Sequence, residues 1–362
     1  MLTMVTPAAN DLVYLRGSEA ESLATPSVVV PVALDGTSAT RDAVFSVVTT
    51  DEGFRALEAD WTALFERVGT GLQLFQTYQW CAAWMRHYMP RDGDGRQKLA
   101  IGTISRGGQL IGLLPFVTVR SRGVVTLSFM GDPVTQYGDV IIADVEDRLA
   151  LLKRAFDVVV AETGADVADL RKVRADAAIA PLVKALGMQR TGGEVAPYCD
   201  LSKAGSFAAL ESRISSKLRK NWRRQQRRLE ERGTLVYEVC TDECAAADAR
   251  LALLMKQAWL IEKGRLSRAF KDERIQDFFE DVARAGPYVA GVEIDTLRTA
   301  GEMAAASISV TAKRRRGLHV VVYNMKFEKA GAGSMNLAKT LQRAFNEGVE
   351  IFDFLAPAHE YK

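Results

Sequence analysis

The stretch LHVVVYNMKFEKAGAGSMNLAKTLQRAFNEGVEIFDF, residues 318–354, constrains the fold of this chain more than any other part of it. A β-branched run enters the turn Glu328-Lys-Ala-Gly331-Ala-Gly333-Ser334, and a helical pattern starts at once. Leu337, Leu341, Ala344 and Phe345 mark the buried face of that helix. Ser334 is its expected N-cap and Gly348 its expected stop. Strand, glycine loop and helix N-terminus in this order form a physical recipe for holding an anion. Glycines let the backbone approach closely, successive N–H groups point at one spot, and the helix dipole favours negative charge. A pyrophosphate is the natural guest.

Two familiar pyrophosphate loops are excluded. A dinucleotide fingerprint needs a third glycine three residues after the second, and position 336 is Asn; a P-loop needs Gly-Lys-Ser/Thr, which is absent.

The rest of the chain supplies the context. At 362 residues it suits two domains of ordinary size. The formal net charge of +2 commits it to neither nucleic acid nor membrane as a whole. Cys81, Cys199, Cys240 and Cys244 form no Cys-x-x-Cys pair, which reads as reduced, mostly buried thiols. With His87, His319 and His359 spread out, no metal centre is expected. The first residues lack a basic region and an apolar core of the kind that leads a secreted chain, and no stretch reaches the ~20 apolar residues of a membrane span. The cytoplasm is the expected address.

Residues 1–40 read as a poorly ordered extension. Residues 41–203 and 204–362 read as two domains. In the first, Phe54, Leu57, Trp61, Leu64 and Phe65 sit at helical spacing. An aromatic-rich helix over residues 78–88 follows, then a hairpin with Gly107-Gly108 in its turn, a strand over 124–129, a helix over 146–162 and short strands near 167–170 and 195–201. In the second, strands are expected at 235–239, 288–294, 303–311, 318–327 and 349–354, with helices at 246–262, 274–284 and 334–347. Both halves run helices, then a central antiparallel hairpin, then a helix behind it, which suggests duplication.

Between them, Phe207, Leu210, Ile214, Leu218, Trp222, Gln225 and Leu229 make one narrow stripe. Lys217, Arg219, Lys220, Arg223, Arg224, Arg227, Arg228 and Arg232 surround it. This is either a solvated helix clamped by its stripe or a contact for an anionic acceptor, an acidic lipid surface or RNA.

Read together, several segments carry a resemblance: SKLRKNWRRQQRRLEERG, Trp259 with Lys263-Gly264, the glycine loop, and Gly348-x-x-x-Phe352-Asp353-Phe354 leading to Glu360-Tyr361-Lys362. From residue 45 to the end the chain resembles the cellulose-biosynthesis-associated (CelD/BcsL-type) branch of GNAT acyltransferases. That branch is akin to the Fem-type aminoacyltransferases with two GNAT-like halves. The glycine loop resembles the GNAT pyrophosphate loop, Gln/Arg-x-x-Gly-x-Gly/Ala, with Glu328 departing from the usual first residue. Relatives continue into further strands past the position of Lys362, so this sequence is either a fragment or takes its last strands from elsewhere.

The resemblance implies an α/β (α+β) fold of tandem GNAT-like domains, each a mixed, mostly antiparallel sheet flanked by helices. It implies acetyl-CoA or another acyl-CoA as co-substrate, no metal, and a small-molecule, saccharide or peptide acceptor linked to cell-surface polysaccharide. Nucleic acid fits only the Fem-like alternative, in which aminoacyl-tRNA is the donor. A non-catalytic module of an exopolysaccharide system is the other alternative. The implied cofactor-binding residues are Val322, Met325, Glu328, Gly331, Ala332, Gly333 and Ser334, with the strand segment 322–325 holding the thioester carbonyl. The first half, with Met130-Gly-Asp-Pro-Val-Thr-Gln-Tyr-Gly138 at the equivalent place, is expected to bind no cofactor.

Tyr323 is the general-acid candidate or a hairpin tyrosine. Asp353 alternates with Phe352 and Phe354, so it faces the other layer as a base or caps a loop. His319 and Glu302 are read as surface residues, and Glu360 and Tyr361 as possible lining of the acceptor site.

Overall fold

The computed structural model describes residues 9–10, 42–89, 96–265 and 267–357. These divide between Glu194 and Val195 into two compact units. The expected disorder of residues 1–40 falls outside the described residues, apart from Ala9–Asn10, which pair with Val173–Arg174.

In the N-terminal unit, strand Ala43–Val48 leads into helices Asp51–Ala56, Glu58–Val68 and Tyr78–Tyr88. Trp61, Trp80 and Trp84 from these helices are fully buried. Strands Ile101–Arg106 and Gln109–Leu114 form the expected hairpin. The expected continuous strand over 109–119 is instead two, Gln109–Leu114 and Phe116–Ser121, in different four-stranded sheets. Pro115 lies between them and has no N–H to give to a ladder. Strand Val124–Phe129, helix Arg148–Thr163 and strand Val167–Asp169 follow, the two strands pairing in parallel.

The C-terminal unit has one six-stranded sheet. Its spatial order is Tyr198–Asp200, Ile351–Asp353, Arg315–Tyr323, Glu302–Ala312, Val292–Thr299 and Leu235–Cys240. Every neighbouring pair is antiparallel except Arg315–Tyr323 with Ile351–Asp353. Because Tyr198–Asp200 pairs with Ile351–Asp353, this strand belongs to the second unit, and the divide falls before it rather than after residue 203.

Strand alternation sends neighbouring residues to opposite faces. Ala305 clusters with Met335 and Ala338 of helix Ala332–Asn346, while Ala306 clusters with Ala252 and Met255 of helix Asp242–Glu262. Helices therefore cover both faces. The first of them is also clamped by charge: Arg343 donates to Asp295 at 2.7 Å and to Glu293 at 2.9 Å, and Arg316 reaches Glu293 and Glu347.

In the C-terminal unit, Leu235–Cys240, Val292–Thr299, Glu302–Ala312 and Arg315–Tyr323 pair antiparallel in succession with helices between the first and second, and helix Ala332–Asn346 returns to Ile351–Asp353, parallel to the fourth. In the N-terminal unit, helices likewise follow strand Ala43–Val48, and helix Arg148–Thr163 returns to Val167–Asp169, parallel to Val124–Phe129. The fold class is mixed α/β with mostly antiparallel sheets flanked by helices.

Three element boundaries differ from expectation. The single basic helix is two, Phe207–Arg213 and Ser216–Glu230, broken where Ile214 turns extended and the Ser215 hydroxyl accepts from the Leu218 N–H. The strand expected at 288 begins at Val292, because helix Arg274–Val289 continues past a kink at Gly286-Pro287. The strand expected to reach Phe327 stops at Tyr323 and gives way to a 3-10 turn, Met325–Ala330.

Candidate active site

Asn324 ends the strand and starts the turn, its Oδ1 accepting from the Lys326 N–H at 3.0 Å. The turn closes at Gly331, whose φ of +80° is a left-handed conformation that glycine alone adopts at low cost. Its N–H is used inside the turn, bonding to Phe327 O at 3.2 Å and Glu328 O at 2.9 Å. Gly331, not Ser334, is the N-cap, and the helix runs Ala332–Asn346.

Ser334 is therefore the third helical residue, and its hydroxyl accepts from Trp222 Nε1 at 3.2 Å. The N–H groups of Ala332, Gly333 and Ser334 have no acceptor among the described residues, as the first turn of a helix leaves them. These three amides, rather than that of Gly331, are what the loop offers an anion. Gly331 serves the turn, and a Cβ there would meet Gln225 Nε2 at 2.3 Å. At the other end Gly348 (φ +76°) stops the helix.

Tyr323 lies against this helix start: a Cβ on Gly333 would stand 3.0 Å from Tyr323 Cδ1. Its hydroxyl donates to Glu328 Oε1 at 2.8 Å and accepts from Trp259 Nε1 at 3.0 Å. Burial, opposed by the bond from Trp259 and reinforced by Glu328, pushes the phenol above its ordinary value. Glu328 also accepts from Lys263 Nζ at 3.4 Å. The Tyr323 and Lys263 hydrogen bonds hold its carboxyl below the usual value. Glu328 thus stays ionised, with one cation and one hydroxyl offsetting its charge beside the free amides.

Lys256, Trp259 and Lys263 share one face of helix Asp242–Glu262, at spacings of three and four. Lys256 Nζ donates to Val321 O at 3.0 Å and stands 4.4 Å from the centroid of the Trp259 ring. Burial, with the nearby Arg265 guanidinium, lowers this amine to about 8. The sequence reading missed Lys256; its helical register with Trp259 and Lys263 was the available signal.

The strand it touches is paired on both edges only at its start. Arg315, Arg316 and Gly317 pair with Ile351, Phe352 and Asp353, and beyond Gly317 no described strand continues that ladder. Among the described residues, 318–323 have no ladder partner on that edge.

The structure does not bring Asp353 to this place. Asp353 is in register with Gly317, six residues and roughly 20 Å along the strand from Tyr323. Phe352 and Phe354 do meet edge to face in the core, as alternation requires. Asp353 itself has no exposed surface, and its carboxylate accepts from Arg315 and from the Leu355 N–H. Of the two readings of Asp353, base or loop cap, these contacts fit the cap: one oxygen accepts from the Leu355 N–H and the other is committed to the half-buried Arg315 guanidinium.

Val322 is buried beneath the sheet face with Ala306, and Met325 is exposed at the start of the turn. His319 is half-buried edge-to-face against Phe279, not on the surface. Glu302 is exposed and braces the turn through Lys326 and Asn324. Glu360 and Tyr361 lie outside the described residues.

The cysteine expectation also changes. Cys81 and Cys199 are buried free thiols, but Cys240 and Cys244 are paired, with Cα atoms 5.4 Å apart. Among the described residues no helix is long and apolar enough to cross a membrane.

Residues 216–362 match the family model described as an acetyltransferase (GNAT) domain. The match takes in the basic helix, the glycine loop and all but the first strand of the sheet just described. Among solved structures, a protein named FemX is similar at 12% identity and a TM-score of 0.54, over 84% of this chain and 88% of that one. A conserved protein of unknown function from Bacteroides thetaiotaomicron is similar at 10% identity and a TM-score of 0.50, over 86% and 90%. Both likenesses are of fold. No curated protein matches by sequence.

Proposed function

We propose that the C-terminal unit is an acyl-CoA-dependent acyltransferase acting on an amine or hydroxyl. The observation that carries this reading is the run of three amides at Ala332, Gly333 and Ser334 with no acceptor among the described residues, set at a helix start beside Tyr323. The donor set fits a diphosphate: three N–H groups converge where the helix dipole favours negative charge. The glycine at 333 keeps the approach free of a side chain. An acyl-CoA bound there supplies a thioester, whose acyl carbon accepts a nucleophile directly.

The chain's own groups can then handle the protons. As the acceptor's nitrogen or oxygen bonds to the acyl carbon and the carbon–sulfur bond breaks, neutral Lys256 takes the acceptor's proton. Tyr323 gives its own to the leaving sulfur. An amine lowered to about 8 is half neutral at that pH and keeps a neutral fraction near physiological pH, which suits a base. Trp259 and Glu328 orient the Tyr323 hydroxyl between them. Backbone groups along residues 318–323 are placed to align the acyl arm. The acceptor in this reading is a small molecule, saccharide or peptide, and the resemblance to cellulose-associated relatives supports a role in cell-surface polysaccharide synthesis.

A second reading takes aminoacyl-tRNA as donor, and one observation favours it. Among the described residues neither the seven cations of helix Ser216–Glu230 nor Arg232 just past it pairs with a carboxylate, and that helix packs against the loop through Trp222 and Gln225. Calorimetric titration of the full chain with CoA, acetyl-CoA and tRNA separates the two. Binding of both CoA forms with a stoichiometry of one supports the first reading. Binding of tRNA alone supports the second, and binding of neither ligand removes both.

A further inference from the structure

Away from this site, the strand Leu235–Cys240 hands over to helix Asp242–Glu262 through Thr241 alone. Cys240 is the last strand residue, in register with Ile294, and Cys244 lies in the first helical turn. The reversal at the strand end brings their Cα atoms to 5.4 Å, inside the range a disulfide spans, and the structure joins them. The two sulfurs differ in surroundings. Cys244 is exposed, and it lies where the unpaired N–H groups of a helix start favour a thiolate. Cys240 is half-buried, its sulfur 3.3 Å from Asp248 Oδ2. Of the neighbouring charges, Arg298 bridges Glu238 and Asp248 and Arg284 pairs with Glu243 at 2.6 Å, while the exposed Asp242 has no ion pair among the described residues.

We infer that Cys240 and Cys244 form a reversible dithiol–disulfide site, with Cys244 as the entry thiol and Cys240 as the resolving one, whose partner is a low-molecular-weight disulfide. The Cys244 thiolate attacks one sulfur of that disulfide and releases one thiol. The Cys240 thiolate then attacks the Cys244 sulfur and releases the second. The partner gains two electrons and two protons, and the protein's two thiols become one disulfide. The enclosed loop is only a few residues long, so closure restrains the unfolded chain little and a thiol can reopen it. The same sulfurs and Asp248 have ligand atoms within 4.8 Å of one another, a spacing a thiophilic cation could use. Arg298 on the Asp248 carboxylate opposes a cation there and favours the redox reading.

The test is differential alkylation and peptide mass spectrometry of the folded full chain across a series of reduced-to-oxidised glutathione ratios. The expected result is that Cys240 and Cys244 lose alkylation together as the buffer oxidises and regain it on reduction, while Cys81 and Cys199 do not change. In Cys240→Ser the Cys244 peptide should carry a stable glutathione adduct, and in Cys244→Ser the Cys240 thiol should stay reduced. If wild-type Cys240 and Cys244 are alkylated independently at every ratio, the inference fails. Retention of glutathione on wild-type Cys244, or protection of both thiols by equimolar zinc with no response to glutathione, also overturns it. The wild-type measurement stands without the variants, should either fold poorly.

Discussion

Replacing Asp353 with Ala separates a structural carboxylate from a catalytic one. Asp353 has no exposed surface, and its partner Arg315 keeps only 12% of its side chain in contact with solvent. Removing the carboxylate leaves a guanidinium without its counter-charge in the sheet, a change that costs about 3–5 kcal/mol when a buried pair is broken from one side. The Leu355 N–H loses an acceptor as well. Three kcal/mol corresponds to roughly a hundredfold rise in the population of opened molecules. Hydrogen exchange of peptides covering residues 315–323 and 351–355 reads this directly, with peptides of the N-terminal unit as the internal control. Exchange in the first set should accelerate by about that factor, while CoA affinity of the folded fraction stays within a few-fold of wild type. Replacing both partners with apolar residues, Asp353→Leu with Arg315→Met, should restore much of the protection, since neither charge is then stranded. Unchanged exchange combined with loss of acyl transfer would refute the reasoning and return Asp353 to the chemistry.

Three further outcomes are expected. Tyr323→Phe should lower kcat about a hundredfold, as loss of a positioned acid does, with CoA affinity little changed; steady-state kinetics with a thiol-release assay decide it, and an unaltered kcat removes Tyr323 from proton transfer. Gly331→Ala should destabilise the C-terminal unit by at least about 1–2 kcal/mol, because the new Cβ must adopt a left-handed φ and displace Gln225. Gly333→Ala should mainly weaken CoA binding, by about tenfold, and urea unfolding with parallel calorimetry distinguishes the two positions.

Lys256→Met should stabilise the protein below pH 8, where the wild-type ammonium is held in a buried place at a cost. The amine is lowered to about 8 from 10.5 in the folded chain, so the unfolded chain binds more protons between those values. Wild-type stability therefore rises through that window and the advantage of the variant shrinks. A pH-independent difference between the two proteins would contradict the lowered amine.

The legible part of this protein was what depends on local pattern. Helix Tyr78–Tyr88 stands where its aromatic periodicity put it, the hairpin turn at Gly107-Gly108 is present, and the glycine loop does join a strand to a helix. Boundaries failed where a single residue overrode the pattern: Pro115 split a strand, Ser215 capped a new helix inside a continuous stripe, and Gly331 took the cap expected of Ser334.

The site was half legible for a different reason. In the proposed site, Tyr323, Glu328 and the loop amides lie close together in sequence, where a motif can single them out, whereas Lys256, Trp259 and Lys263 approach from some sixty residues earlier. Asp353 kept two readings in the sequence because period-two alternation says which face a side chain takes but not what waits there; Arg315 and the Leu355 N–H did.

By itself, the amino-acid order determined which segments become strands and helices, that a glycine turn precedes the last long helix, and that a stripe of cations flanks it. Those follow from backbone preference and apolar period, which act over a few residues. Only tertiary structure decided which amides stay free, which carboxylate is neutralised and which lysine loses part of its hydration. Each of those depends on a partner distant in sequence, whose arrival sets the local charge and solvent.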